Sequence, residues 1–237
     1  MISFVVPAYN EELLLPGTLT ALRAAGDAVG EPYEIIVADD ASADRTAAIA
    51  EEHGARVVRV AHRQIAATRN SGAREANGEF FIFVDADTIV NPEVVRAAVT
   101  ALRDGAVGGG SDLRFEGRLP LWGRLMIASF RPMYRLVRIA SGSFLFCTRQ
   151  AFAAVGGFDE TLFAAEEAMM SKALRRHGRF VVLRETVLTS GRKLRSYSGW
   201  EIFRVLTRLA LLGKRGLRDR RGLEIWYGAR REDPQRL

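Results

Sequence analysis

The stretch Phe80-Phe81-Ile82-Phe83-Val84-Asp85-Ala86-Asp87 decides how the rest of the chain is read. The apolar run predicts a strand, and a strand sends alternate side chains to opposite faces, so residues 85 and 87 project to the same side. Two carboxylates aimed together where a strand runs out repel each other unless a cation sits between them. Oxygen-only ligands suit a hard divalent ion, Mg²⁺ or Mn²⁺, and such an ion can hold a diphosphate. Asp-x-Asp also occurs in ordinary turns, so its meaning depends on its neighbours.

Outward from this stretch, strands and helices alternate. Ile2–Ala8, Tyr33–Ala38 (running into Asp39-Asp40) and Ala55–Val60 read as strands. Leu13–Ala25, Ala43–His53 and Gln64–Ala76 read as helices, the second capped by Ser42 and the third stopped by Asn77-Gly78. Asn91-Pro92 starts another helix, with Asn as cap and Pro at the first position. Beyond Gly105 the rhythm loosens. Strands are expected at Ala106–Phe115, Ser143–Thr148 and Phe180–Leu183, and helices at Leu119–Ile139, Glu166–His177 and Trp200–Gly213. The pattern predicts an α/β fold: a single domain, residues 1–237, with a mostly parallel central sheet flanked by helices.

Composition sets the bounds. The 237 residues are 48% hydrophobic and 26% charged, the balance of a globular domain. The single cysteine, Cys147, allows no internal disulfide, which fits a cytoplasmic setting. No signal peptide and no run long enough to span a membrane is expected. The net charge of +6 is concentrated in arginines at 114–138 and 192–231. Such surfaces suit phosphorylated substrates or anionic lipid. Without zinc-finger spacing or an RNP-like aromatic motif, nucleic acid is not an expected partner.

Parallel α/β sheets bind ligands at the carboxyl ends of their strands. Acidic clusters stand at three such ends: Glu11-Glu12 after the first strand, Asp39-Asp40 at the second, and Asp85 with Asp87 at the fourth. The first strand is followed by Pro7-Ala8-Tyr9-Asn10, without the glycine fingerprint of a dinucleotide-binding turn.

Taken with their order, these segments resemble family-2 glycosyltransferases of the GT-A fold. Val5-Val6-Pro7-Ala8-Tyr9-Asn10-Glu11-Glu12 is similar to that family's opening motif, and Val37-Ala38-Asp39-Asp40-Ala41-Ser42 to its second. Ala67-Thr68-Arg69-Asn70-Ser71-Gly72 resembles its Ala-Arg-Asn-x-Gly segment, with Thr68 between Ala and Arg. Asp85-Ala86-Asp87 resembles its metal motif, and Gly156-Gly157-Phe158-Asp159-Glu160 the segment leading to the catalytic acid. The resemblance implies a GT-A-like fold with a nucleotide-sugar-binding half, 1–115, and an acceptor-side half, 116–237. It implies an enzyme moving a sugar from a nucleotide-diphosphate donor, a UDP-sugar, to an acceptor hydroxyl, with inversion and Mn²⁺ or Mg²⁺ as cofactor. Carried over, Pro7, Ala8, Tyr9 and Glu11 surround the base, Asp39 or Asp40 accepts from its N–H, and Arg69 steadies the base or diphosphate. Asp85 lies near ribose and metal, and Asp87 binds the metal directly.

Glu167 is the first choice for the base that takes the acceptor proton, and Glu166 the second. The family usually presents Glu-Asp there, and this chain has Glu-Glu. Both could instead simply favour a helix N-terminus. Arg192 and Lys193 could clamp a diphosphate or form a basic surface turn. The Gln-x-x-Arg-Trp motif of processive synthases is missing, which favours single transfer. The amphipathic segments 119–139 and 200–212 could pack on the domain, or lie peripherally on the inner face of a membrane and serve a lipid-linked acceptor. A nucleotidyltransferase making a nucleotide-sugar, or a non-catalytic nucleotide-sugar-binding module, stand as alternatives.

Overall fold

The computed structural model describes residues 1–228 and 233, with the backbone alone at 130–136 and 214. From the N-terminus the chain forms β1 (Ile2–Ala8), α1 (Leu15–Val29), β2 (Tyr33–Asp40), α2 (Thr46–Glu52), β3 (Arg56–Val60), α3 (Ile65–Arg74) and β4 (Phe80–Val84). It continues through β5 (Thr88–Ile89), α4 (Pro92–Arg103), β6 (Gly108–Phe115), α5 (Leu121–Val137), β7 (Phe144–Thr148), α6 (Arg149–Val155), α7 (Glu166–His177) and β8 (Phe180–Thr189). Four helices follow: α8 (Arg192–Ser196), α9 (Gly199–Leu212), α10 (Lys214–Leu217) and α11 (Glu224–Tyr227).

The strands form one eight-stranded sheet in the order β3-β2-β1-β4-β7-β6-β8-β5. β1 pairs in parallel with β2 and β4, and β2 with β3, as the βα rhythm predicts. β7 then enters against the direction of both its neighbours, β4 and β6, while β8 runs parallel to β6 and β5 closes the far edge antiparallel. The sheet is therefore mixed rather than simply parallel. Because β7 is reversed, its first residues lie at the edge where β4 ends, with Phe144 opposite Val84. That reversal brings Gly142 and Ser143 to the same edge as the three acidic strand ends.

Alternation along the strands builds two cores. Phe4, Val6, Val37, Ile82 and Val84 face Leu15, Leu19 and Leu22 of α1 and Val94, Val95 and Ala98 of α4. On the other face Val5, Ile36, Phe81 and Phe83 meet Ala66 and Ala73 of α3 and Met170 and Leu174 of α7. Gly72 is what lets α3 lie this close: a Cβ there would stand 2.6 Å from Val5 Cγ1. α3 is thus pressed onto the sheet with Arg69 and Asn70 buried beneath the cleft.

Several local expectations are corrected. Ser42 does not cap α2; its hydroxyl accepts from Asn10 N at 2.9 Å, and Asp44 Oδ1 accepts from Thr46 N at 3.0 Å instead. The loop is held across to the first strand, so the helix begins at Thr46 rather than Ala43. β8 extends to Thr189 because it pairs with β6 along its length. By contrast Asn91 caps α4 as expected, accepting from Val94 N at 2.8 Å. Cys147 is buried in β7, where burial pushes its thiol pKa up.

Candidate active site

The strand ends enclose a cleft of about 310 Å³. Pro7, Ala8, Tyr9, Glu11, Asp40, Arg69, Asp85, Asp87, Glu166, Glu167, Arg192 and Lys193 all line it. Residues separated by up to 186 positions (Pro7 to Lys193) therefore meet at one place, and the second half of the chain contributes as much of the wall as the first. Asp39 alone among the expected residues does not line the cleft. It is buried in β2 beside Ala8, its register partner in β1, and its Oδ1 has no hydrogen-bond partner.

Arg69 is the hub. Its side chain is 3% exposed. Nη1 donates to Glu166 Oε1 at 2.8 Å, and Nη2 donates to Asp85 Oδ1 at 2.8 Å and to the Gly142 carbonyl at 3.1 Å. Burial works against its charge, but Asp85, Glu166 and Glu167 outweigh it and hold the guanidinium pKa above the ordinary value. Both terminal nitrogens are spent on protein groups, so Arg69 acts by fixing two carboxylates rather than by standing open to a base or diphosphate. Its neighbour Asn70 clamps the Gly156–Glu160 segment: it donates to Phe158 O and Glu160 Oε1 and accepts from Phe158 N, each at 2.9 Å. The Arg-Asn pair thus holds in place the turn that leads to Glu166 and Glu167.

Glu166 is buried against Arg69, whereas Glu167 stands in the cleft wall. Burial, then the charge of Glu166, pushes the Glu167 carboxyl up to about 8; Arg69 opposes this and Asp85 adds to it. Ala165, immediately before the pair, adopts the left-handed conformation at φ 59°. Asn10, Ala41 and Arg63 do the same at φ 50°, 56° and 52°. Four non-glycine residues in this costly region ring the strand ends, which is where functional sites store strain.

Asp87 is pushed up to about 6, by burial first and then by Glu11 and Asp85, with Lys193 and Arg192 pulling the other way. Arg192 donates to both Glu11 oxygens, at 3.1 and 3.3 Å, and stands 3.8 Å from Asp87 Oδ2. Arg192 is therefore tied to the first-strand loop, and Lys193 is the member of the cleft-lining pair whose side chain makes no hydrogen bond among the described residues. No hydrogen bond among the described residues reaches the Asp87 carboxylate, and Asp85 uses only Oδ1 on Arg69. Crowded, under-compensated oxygen donors fit a hard divalent cation. Among the described residues no group of three or more His, Cys, Asp or Glu is arranged to hold a metal.

Asp40 borders the cleft, but its oxygens accept from Arg63 N at 2.8 Å, Gln64 N at 3.1 Å and the Thr68 hydroxyl at 2.9 Å. It organises the turn into α3. His62 Nε2 meets Ser71 Oγ at 2.9 Å rather than the cleft.

Sequence reading misses two parts of the wall. Arg63 lies over the Tyr9 ring at 3.7 Å, and both line the cleft. The C-terminal segment, read as a basic tail, folds back: Phe163 N donates to Leu217 O at 2.7 Å, Tyr197 Oη donates to Glu224 O at 3.1 Å, and the Phe163 and Tyr227 rings meet edge to face at 5.7 Å. Arg220, Trp226 and Tyr227 thereby reach the cleft. The apolar run Ile225-Trp226-Tyr227 within a charged tail is the available signal.

Residues 3–156 match the family model described as glycosyl transferase family 2. The chain belongs to that family. A relative, an undecaprenyl-phosphate 4-deoxy-4-formamido-L-arabinose transferase of Pseudomonas paraeruginosa, is 35% identical over 132 residues, 52% of this family-2 chain and 39% of the relative. The match thus spans about two fifths of that relative's length. Among solved structures, the mannosyltransferase PcManGT of Pyrobaculum calidifontis, in complex with GDP-Man and Mn²⁺, superposes with a TM-score of 0.68 at 20% identity, covering 89% of this chain and 61% of that one. S. aureus TarS 1-349 in complex with UDP-GlcNAc gives a TM-score of 0.64 at 21% identity, covering 90% and 66%. At these identities the likeness is one of fold. The family assignment and these neighbours agree with the GT-A-like architecture expected from the motifs.

Proposed function

We propose that this family-2 chain is a metal-dependent, non-processive, inverting glycosyltransferase that moves a sugar from a UDP-sugar to an acceptor hydroxyl. The observation that carries the reading is one cleft lined by Asp85, Asp87, Lys193 and Glu167 and anchored by Arg69. Residues 1–115 supply most of the donor side, completed by Arg192 and Lys193, and residues 116–237 supply the acceptor side. The relative named for an undecaprenyl-phosphate transferase supports a lipid-linked acceptor.

Asp87, with Asp85, would hold Mn²⁺ or Mg²⁺, which when bound neutralises charge on the departing diphosphate. Pro7, Ala8 and Tyr9 would pack around the base. Of the Asp39-Asp40 pair, Asp40 is the member that borders the cleft and would accept from the base N–H, although its oxygens already hold the α3 turn. Glu11 would orient Arg192, and Lys193 would approach the diphosphate as a point charge. Arg69 fixes Asp85 and Glu166, so the donor side and the acceptor side share one buried cation. As the anomeric carbon passes through an oxocarbenium-like state, Glu167 takes the acceptor proton. Its raised pKa makes it a stronger base than an exposed glutamate.

The test is calorimetric titration of UDP with and without Mn²⁺, on the wild type and on Asp87→Asn. Mn²⁺-dependent binding that the variant loses is expected. Equal affinity in the two proteins would remove Asp87 from the site. Release of UDP rather than pyrophosphate from the donor separates this reading from nucleotidyl transfer, and turnover itself separates it from a binding module.

A further inference from the structure

α9 carries its apolar stripe on the outside. Trp200, Phe203, Thr207 and Leu211 recur at three- and four-residue spacing on one face. Trp200 is 66%, Phe203 56% and Leu211 81% exposed. The Trp200 and Phe203 rings stack at 5.5 Å, and with Arg204, Arg208 and Leu212 they form a shallow groove. On the inner side of the helix only Ile202 is buried. In a water-soluble domain an amphipathic helix turns this stripe inward, and a contiguous exposed patch marks a contact surface. The apolar surface continues onto α5: Trp122 packs against the start of α9 at Gly199, and Leu121 and Leu125 beside it are 68% and 63% exposed.

Charge selects the partner. Residues 200–221 contain seven Lys or Arg and two carboxylates, a surplus that nearly equals the net +6 of the whole chain. Both carboxylates are occupied. Glu201 closes the capping box with Ser198, and Asp219 pairs with Arg208 and Arg221. Arg204 lies in the groove, Arg215, Arg218 and Arg220 are exposed on the segment that follows α9, and Arg220 also lines the cleft. No helix among the described residues is long and apolar enough to cross a membrane.

We infer that α9, with the start of α5, docks this protein on an anionic lipid surface. Trp200, Phe203 and Leu211 enter the headgroup boundary, and the surrounding arginines meet lipid phosphates. A second copy of the chain would bring the same basic surplus against itself, and the repulsion disfavours it. The inference stands independently of the donor chemistry, although it would set the cleft mouth, through Arg220, beside the bilayer.

The experiment is co-sedimentation of the full chain with vesicles of phosphatidylcholine alone, and of phosphatidylcholine with phosphatidylglycerol in equal parts. Binding to the mixed vesicles, weakened by salt and lacking on phosphatidylcholine alone, is expected. The double variant Trp200→Ser/Phe203→Ser should bind about tenfold more weakly or worse, with its melting temperature and its UDP binding in Mn²⁺ unchanged. Leu211→Glu, at the other end of the stripe, should weaken binding as well. Failure of the wild type to sediment with anionic vesicles would overturn the inference. So would equal binding by the variants, or a dimer in light scattering that the double variant dissolves. UDP binding is read separately, so loss of vesicle binding with intact UDP binding refutes only the docking surface. Vesicle binding without UDP binding refutes only the glycosyltransferase reading.

Discussion

Glu167→Gln should stabilise the metal-free protein, and more so at high pH. In the fold burial and Glu166 raise this carboxyl to about 8 from an ordinary value of 4.5. A group whose folded pKa is raised contributes its stability below the unfolded value, and that contribution is lost as pH rises through the folded value. Between roughly pH 4.5 and 8 the unfolded chain therefore ionises Glu167 while the fold resists, and stability falls. Each unit of displacement corresponds to about 1.4 kcal/mol. Water entering an open cleft screens much of that, leaving on the order of 2 kcal/mol above pH 8. For a chain of this size this is about 4–8 °C in melting temperature. Glutamine keeps the shape and removes the titration. The assay is thermal unfolding of both proteins in EDTA at pH 5 and pH 9. The gain should be small at the lower pH and several degrees at the higher. A gain equal at both values, or a loss at pH 9, would refute the claim that Glu167 is held in an environment hostile to its charge. The same substitution should lower transfer to a hydroxyl acceptor by about 10²–10⁴. Retained transfer to that hydroxyl would remove Glu167 as the base and move the role elsewhere in the cleft.

Arg69→Met leaves Asp85 and Glu166 without their buried cation and should cost about 3–5 kcal/mol in urea unfolding; a loss under 1 kcal/mol would deny Arg69 its central place. Asn70→Ala removes the bonds to Phe158 and Glu160 and should cost about 1–3 kcal/mol, with hydrogen exchange quickening first at Phe158. Gly72→Ala forces a methyl toward Val5 and should cost about 1–3 kcal/mol in the same unfolding measurement. If a carboxylate at Asp39-Asp40 accepts the uracil N–H, UDP should bind better than CDP by about 1.5–3 kcal/mol in calorimetry; equal affinities would count against that contact.

Much of the architecture follows from local chemistry. The apolar runs at Ile2–Ala8 and Phe80–Val84, short and bounded by turn residues, read as strands buried on both faces, and Asn91-Pro92 starts its helix where cap and proline geometry require. The acidic ends of β1, β2 and β4 share an edge because parallel strands must end together. The motif residues belong to the same local logic. Other features depend on distant partners. A five-residue apolar run reads alike in either direction, so the reversal of β7, which brings Gly142 under Arg69, is set by pairing with β4 and β6. Ser42 is drawn away from its helix by Asn10, 32 positions earlier. Arg69 resembles a ligand-binding cation in sequence, yet tertiary packing commits it to Asp85 and Glu166. The stripe on α9 has the same periodicity whether it faces a core or solvent; only the tertiary packing, which leaves Trp200 and Phe203 exposed among the described residues, turns it outward. Side-chain type and spacing fix what a segment can do. Which groups remain open to a ligand depends on the contacts that folding has already closed.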